Sequence, residues 1–191
     1  EPCAAEELYE MIKAKGVDIL CFCTQVHLEG PGLERADAAG MTEFMRPCAG
    51  ILEGKEIFDQ CFYEQAYTHS IWNKIYRAPL CKAAISGAPD IRCSAFADHY
   101  LYAVLASHAK RFYGDRDGKP YHHYYYGEGI SNLAIVSYER FLRQTGAIRC
   151  YEGLKAYFGD DPDKTAFLEQ TLDAARKRIA KAWIQLRPED R

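Results

Sequence analysis

The stretch KPYHHYYYGEGISNLAIVSYERFLRQTG, Lys119 to Gly146, joins two unlike halves. The first gathers six rings, Tyr121, His122, His123, Tyr124, Tyr125 and Tyr126, and closes on Gly127-Glu128-Gly129. The second spreads Leu133, Ile135, Val136, Tyr138, Phe141 and Leu142 over an arc too wide for a surface helix. That pattern predicts a central, buried helix from a Ser131 cap to Gln144, with Glu139 and Arg143 placed for a supporting i,i+4 pair, ended by the tight Thr145-Gly146 break. The whole stretch reads as a ring-rich loop feeding the core helix of a helical protein.

Working outward, the flanks carry the same period. Ile148 to Phe158 reads as a return helix, and Asp161-Pro162 supplies an N-cap with proline at the first helical position. The last helix then runs to about Leu186, with Leu168, Leu172, Ala175, Ile179, Trp183 and Leu186 inward. Upstream, Ser94 caps a helix through Tyr113. Phe58, Cys61, Phe62, Gln65, His69, Trp72 and Tyr76 recur at threes and fours, which predicts one long helix from Ile51 or Lys55 to Tyr76. Ala4 to Lys15 is a helix stopped by Gly16, and Glu29 to Gly50 is loop-rich with one short helix near Thr42 to Met45.

The segment VDILCFCTQVHL, Val17 to Leu28, suits a strand by its β-branched and aromatic content, but a buried helix has the same composition. The expected fold is therefore mainly α: a single domain over residues 1–191, a bundle of about six helices, with room for one short strand or hairpin at residues 17–28.

The chain has 191 residues, enough to bury a core without a metal or a partner. A net charge of −3 lacks the basic excess of a general nucleic-acid binder, so no nucleic acid is expected as partner. No apolar run approaches the roughly 20 residues of a membrane-spanning helix, so no membrane span is expected. Eight cysteines, none in CxxC spacing, and a start at Glu1 without Met favour an exported protein, secreted or periplasmic, stapled by several disulfides. Cys81 with Cys93 is the expected local pair. The other reading is a set of small buried apolar residues.

Three groups of residues carry chemistry. Glu128, between two glycines, is the candidate general acid/base, assisted by His122 or His123. Adjacent His122 and His123 diverge in regular structure and cannot both face one ion. His69 and His108, on the apolar faces of two helices, are the metal or haem candidates, without the carboxylate support of a di-iron site. Cys21 or Cys23 with His27 is a nucleophile-and-base pair lacking any visible source of a lowered thiol pKa. The turn Gly114-Asp115-Arg116-Asp117-Gly118 fails the calcium-loop pattern because Lys119 stands where an oxygen ligand is needed.

Tyrosine supplies large contact area at low entropic cost and keeps a hydrogen-bonding tip. The expected function is recognition of a small molecule or a protein partner through Tyr121, Tyr124, Tyr125 and Tyr126, with no cofactor. A hydrolase or lyase acting on a glycan or peptide through Glu128 is the second reading, and a metal or haem protein the third.

Overall fold

The computed structural model describes residues 3–29, 36–127 and 137–186. Their element order is α1 (Ala4–Lys15), β1 (Ile19–Phe22), β2 (Thr24–Leu28), α2 (Ala38–Phe44), β3 (Gly50–Glu53), α3 (Lys55–Phe62), β4 (Lys74–Tyr76), α4 (Ala78–Ser86), α5 (Ala97–His108), β5 (Arg111–Asp115), β6 (His122–Tyr126), α6 (Tyr138–Phe158) and α7 (Thr165–Ile184), with a 3-10 turn at Pro162–Lys164. The protein is mixed α/β, and the expectation of a helical bundle is corrected. Val17 to Leu28 folds as strands, and four more segments expected as helix or loop fold as β3, β4, β5 and β6.

β1 is the centre of a four-stranded sheet of order β3-β5-β1-β4. It runs parallel to β5, with Leu20 opposite Tyr113, and antiparallel to β4, with Cys21 opposite Lys74. β3 closes the other edge antiparallel to β5. All four residues of β1 are buried, as expected for a strand covered on both faces. Leu20 and Phe22 point toward α1, where Leu8 and Ile12 complete a core cluster with Val17. The opposite face carries Phe112, which stacks on Tyr67 at 4.7 Å, and α3 adds the buried Ile57, Phe58, Cys61 and Phe62. Asp18 fixes the start of both parallel strands: its Oδ2 accepts from the Lys110 and Arg111 amides, and its own amide donates to Arg111 O. A Cβ on Gly114 would collide with the carbonyl of Cys48, so glycine is needed where that chain crosses β5.

Past Cys23 the same strand continues as β2 and pairs in parallel with β6. The partner strand loops out between Asp115 and His122 before rejoining. Cys23 bridges this mouth: its carbonyl accepts from Tyr121 N, and its thiol faces the carbonyls of Asp115 and Arg116 at 3.3 and 3.2 Å.

The helix expected over 55–76 stops at Phe62. Residues 63–73 instead form a loop folded around Lys74, a lysine only 5% exposed. Its Nζ donates to the carbonyls of Thr68 (2.8 Å) and Ser70 (2.6 Å) and to Asn73 Oδ1 (2.9 Å). A buried ammonium survives only with such partners.

Contacts divide the chain, expected as one domain, into two units: Glu1–Ala84 with Leu105–Asn132, and Ile85–Val104 with Leu133–Arg191. The second unit is built on the α6–α7 pair. The expected break at Thr145-Gly146 is absent, because α6 runs through it. Gly146 is buried inside that helix, where a Cβ would collide with Ser94. Ser94 therefore does not cap a helix; its hydroxyl donates to Arg143 O at 2.7 Å, and α5 begins only at Ala97. Ser137 caps α6 by accepting from Arg140 N, and the expected Ser131 cap with Leu133, Ile135 and Val136 lies outside the described residues. Leu142 and Trp183, expected inward, are each 48% exposed. The Asp161-Pro162 start and the Glu139–Arg143 pair at 2.7 Å are present as read. No helix among the described residues is long and apolar enough to cross a membrane.

The several disulfides expected reduce to one, Cys93–Cys150, within the second unit. Cys81 is a free thiol, so its expected pairing with Cys93 is corrected. Cys21, Cys23, Cys48 and Cys61 are free and buried. Burial pushes the Cys48 thiol up to about 12 and those of Cys21 and Cys61 upward as well, outweighing the opposing effect of nearby Lys74.

Two predictions follow from these packing facts. In denaturant without reductant, six thiols should titrate per chain, the six that are unpaired; a count of eight removes the disulfide. Lys74→Met removes the donor from one buried and two half-buried acceptors and should cost roughly 2–4 kcal/mol in urea unfolding. Near-wild-type stability would show that the loop does not need its ammonium.

Candidate functional site

The ring cluster expected as a loop is strand β6. Tyrosine favours a pleated, half-buried surface, and β2 offers a parallel edge with Thr24 opposite His122 and Val26 opposite Tyr124. Side chains alternate along a strand, so the six rings fall into three environments rather than one.

On the inner face, His122 and Tyr124 lie over the buried Thr24 and Val26. Trp72, delivered by the loop that Lys74 holds, stacks on Tyr124 at 5.3 Å and on His122 at 4.7 Å. Two polar atoms here have no hydrogen-bond partner among the described residues: Nδ1 of His122 and Oγ1 of Thr24, the latter residue only 2% exposed. Burial pulls the His122 pKa down, and the neighbouring His123 adds to the shift.

On the outer face, His27 of β2 meets His123 and Tyr125 of β6. The His27 Nε2 and His123 Nδ1 atoms are 2.9 Å apart, one donating and the other accepting. The Tyr125 ring stacks on His27 at 5.0 Å, 21° from parallel. Tyr125 is 54% exposed. The three rings make a continuous ladder across two strands, with His123 and Tyr125 exposed and His27 half-buried.

Tyr121 belongs to neither face. Its ring meets Phe22 edge-on at 6.0 Å, and its hydroxyl donates to Glu7 of α1 at 2.9 Å. Lys119 pairs with the same carboxylate at 2.7 Å, and these two hydrogen bonds hold the Glu7 carboxyl below its usual range. Tyr121 thus ties the loop to α1. Tyr126 shares the inner parity with His122 and Tyr124.

The catalytic candidates do not assemble within what is described. Glu128 lies outside the described residues, while His122 and His123 face opposite sides of the ribbon. His69, expected on an inward helical face, is exposed in the loop after α3, against Phe62 at 6.1 Å. His108 is exposed at the end of α5. Among the described residues no group of three or more His, Cys, Asp or Glu side chains is arranged to hold a metal ion. The His27 ring is engaged by His123 and Tyr125, and the Cys23 thiol faces backbone carbonyls with its pKa raised by burial.

His27, Thr24 and Trp72 are the site residues that the sequence reading did not place here. The signal for two of them was the alternation in TQVHL read against HHYYY; nothing local marked Trp72.

The chain matches no protein-family model, no curated protein and no solved structure.

The depressed His122 pKa sets a sign. Protons bind the unfolded histidine more readily than the folded one. The neutral ring's contribution is therefore present in full above the unfolded value, about 6.5, and is lost as pH falls below it. His122→Phe should lose less stability than wild type between about pH 7 and pH 5 in urea titrations. Equal losses would show that His122 does not carry the acid sensitivity.

Proposed function

We propose that the protein is a binding protein whose recognition surface is the outer face of the β2–β6 ribbon. The observation supporting this reading is the ladder of half-buried His27 and exposed His123 and Tyr125, with Tyr125 stacked on His27 at 5.0 Å and more than half exposed. A large ring left in water on a strand whose other face is packed offers contact area at little entropic cost.

Scale narrows the occupant. Three side chains fall far short of the ~800 Å² that each partner contributes to a standard protein interface. They match a single flat ring. Tyr125 supplies a face for stacking, and the imidazole edges supply donors and acceptors. The ligand class is therefore a small ring with hydrogen-bonding groups on its rim, a pyranose or a hydroxylated aromatic. Trp72 supports the surface from behind by stacking on Tyr124 and His122, so the outer rings are held before a ligand arrives. A single disulfide is compatible with an oxidising compartment and adds weight to the export reading without deciding it.

The test is saturation-transfer NMR against a panel of mono- and disaccharides and phenolic acids, on wild type and Tyr125→Ser. Loss of the stacking face should weaken any hit about tenfold, the equivalent of ~1.4 kcal/mol. A hit with equal affinity in the variant, or no hit from either class, overturns the assignment.

A further inference from the structure

We propose that His27 and His123 form a bidentate site for a tetragonal divalent transition ion, Cu2+ or Ni2+. The proposal stands on the two imidazoles alone and does not depend on ring binding at Tyr125. The ring nitrogens are 2.9 Å apart. Metal–imidazole bonds of about 2.0–2.1 Å at a right angle put cis nitrogens roughly 2.8–3.0 Å apart. A tetrahedral ion would need about 3.3 Å with the same bond lengths. The observed spacing is that of a direct hydrogen bond, and it places both nitrogens within reach of one ion. Binding requires no backbone movement. Both rings turn about their side-chain torsions so that the two lone pairs leave their shared hydrogen bond and converge on one point beside it.

The ribbon makes the pair a chelate rather than two stray histidines. Parallel pairing fixes His27 and His123 on one face of adjacent strands. Copper stands at the top of the divalent affinity order for nitrogen ligands, with nickel next. Two protein ligands leave the remaining positions to water or to an added ligand's own donors, so the site is open.

The probes are NiCl2 in calorimetry and CuCl2 in amide NMR, with no organic ligand present and exposed thiols alkylated beforehand. Wild type should bind one Ni2+. Cu2+ should broaden first the amides of Val26 to Leu28 and His122 to Tyr126. His27→Gln and His123→Gln should each weaken Ni2+ at least about tenfold, with near-ultraviolet circular dichroism unchanged. His69→Gln and His108→Gln, at exposed histidines elsewhere, should not. Equal affinity in His27→Gln and His123→Gln, broadening centred on another histidine, or no Ni2+ heat at all overturns the proposal. Tyr125→Ser should retain Ni2+, which separates failure here from failure of the ring-binding reading.

Discussion

A lysine ammonium sealed inside the first unit shapes everything near the candidate site. Desolvating such a charge costs several kcal/mol even after relaxation. Lys74 offsets that cost with three oxygens and with the Tyr67 ring at 5.7 Å. Two of the oxygens are carbonyls of the preceding loop, so satisfying the charge dictates the loop's path. Asn73 is pinned on both sides: its carbonyl accepts from Phe22 N, and its side chain reaches Met45 O. Trp72, one residue earlier, has little freedom left. Its stack on β6 is a consequence of how the ammonium is solvated by its own chain.

The ribbon inherits this rigidity. A two-stranded sheet alone is marginal in water, and β2–β6 has two supports. It continues β1 through Cys23, so the four-stranded sheet fixes one end. Trp72 covers its inner face. The outer face is then free to present His27, His123 and Tyr125 without collapsing, because the collapse has already occurred on the other side. Alternation thus converts a row of five consecutive rings into a packed wall and an exposed one.

The same alternation explains what could be read from the sequence. α1, the Asp161 cap and the Glu139–Arg143 pair rest on local signals and were legible. Phe58, Cys61 and Phe62 gave the correct face of α3, but His69, Trp72 and Tyr76 continued its period by coincidence, and the loop's true organiser, Lys74, looked like one more surface lysine. β5 read as the tail of a helix because five residues are too few to show a period of two against one of 3.6. In HHYYY no polar residue alternates with an apolar one, since histidine and tyrosine serve on either face, so the strand had no binary pattern to show. Its partner, Thr24 to Leu28, is almost a hundred residues away. Gly146 misled for a related reason: its lack of a side chain serves close approach to Ser94 rather than a turn.

Among the described residues, the buried thiols and the solvent-facing imidazoles sit in opposite environments. Thiols could act as nucleophiles only as thiolates, yet Cys21, Cys48 and Cys61 sit where burial favours the neutral form more than the nearby ammonium favours the charged one. Cysteine here fills space as a small apolar residue, which is why an even count with wide spacing overstated the disulfides. On the outer face of the ribbon, the His27 and His123 imidazoles bond to each other across the strands. Four of the six free thiols are buried, while the rings of His123 and Tyr125 stand in water on the outer face of the ribbon.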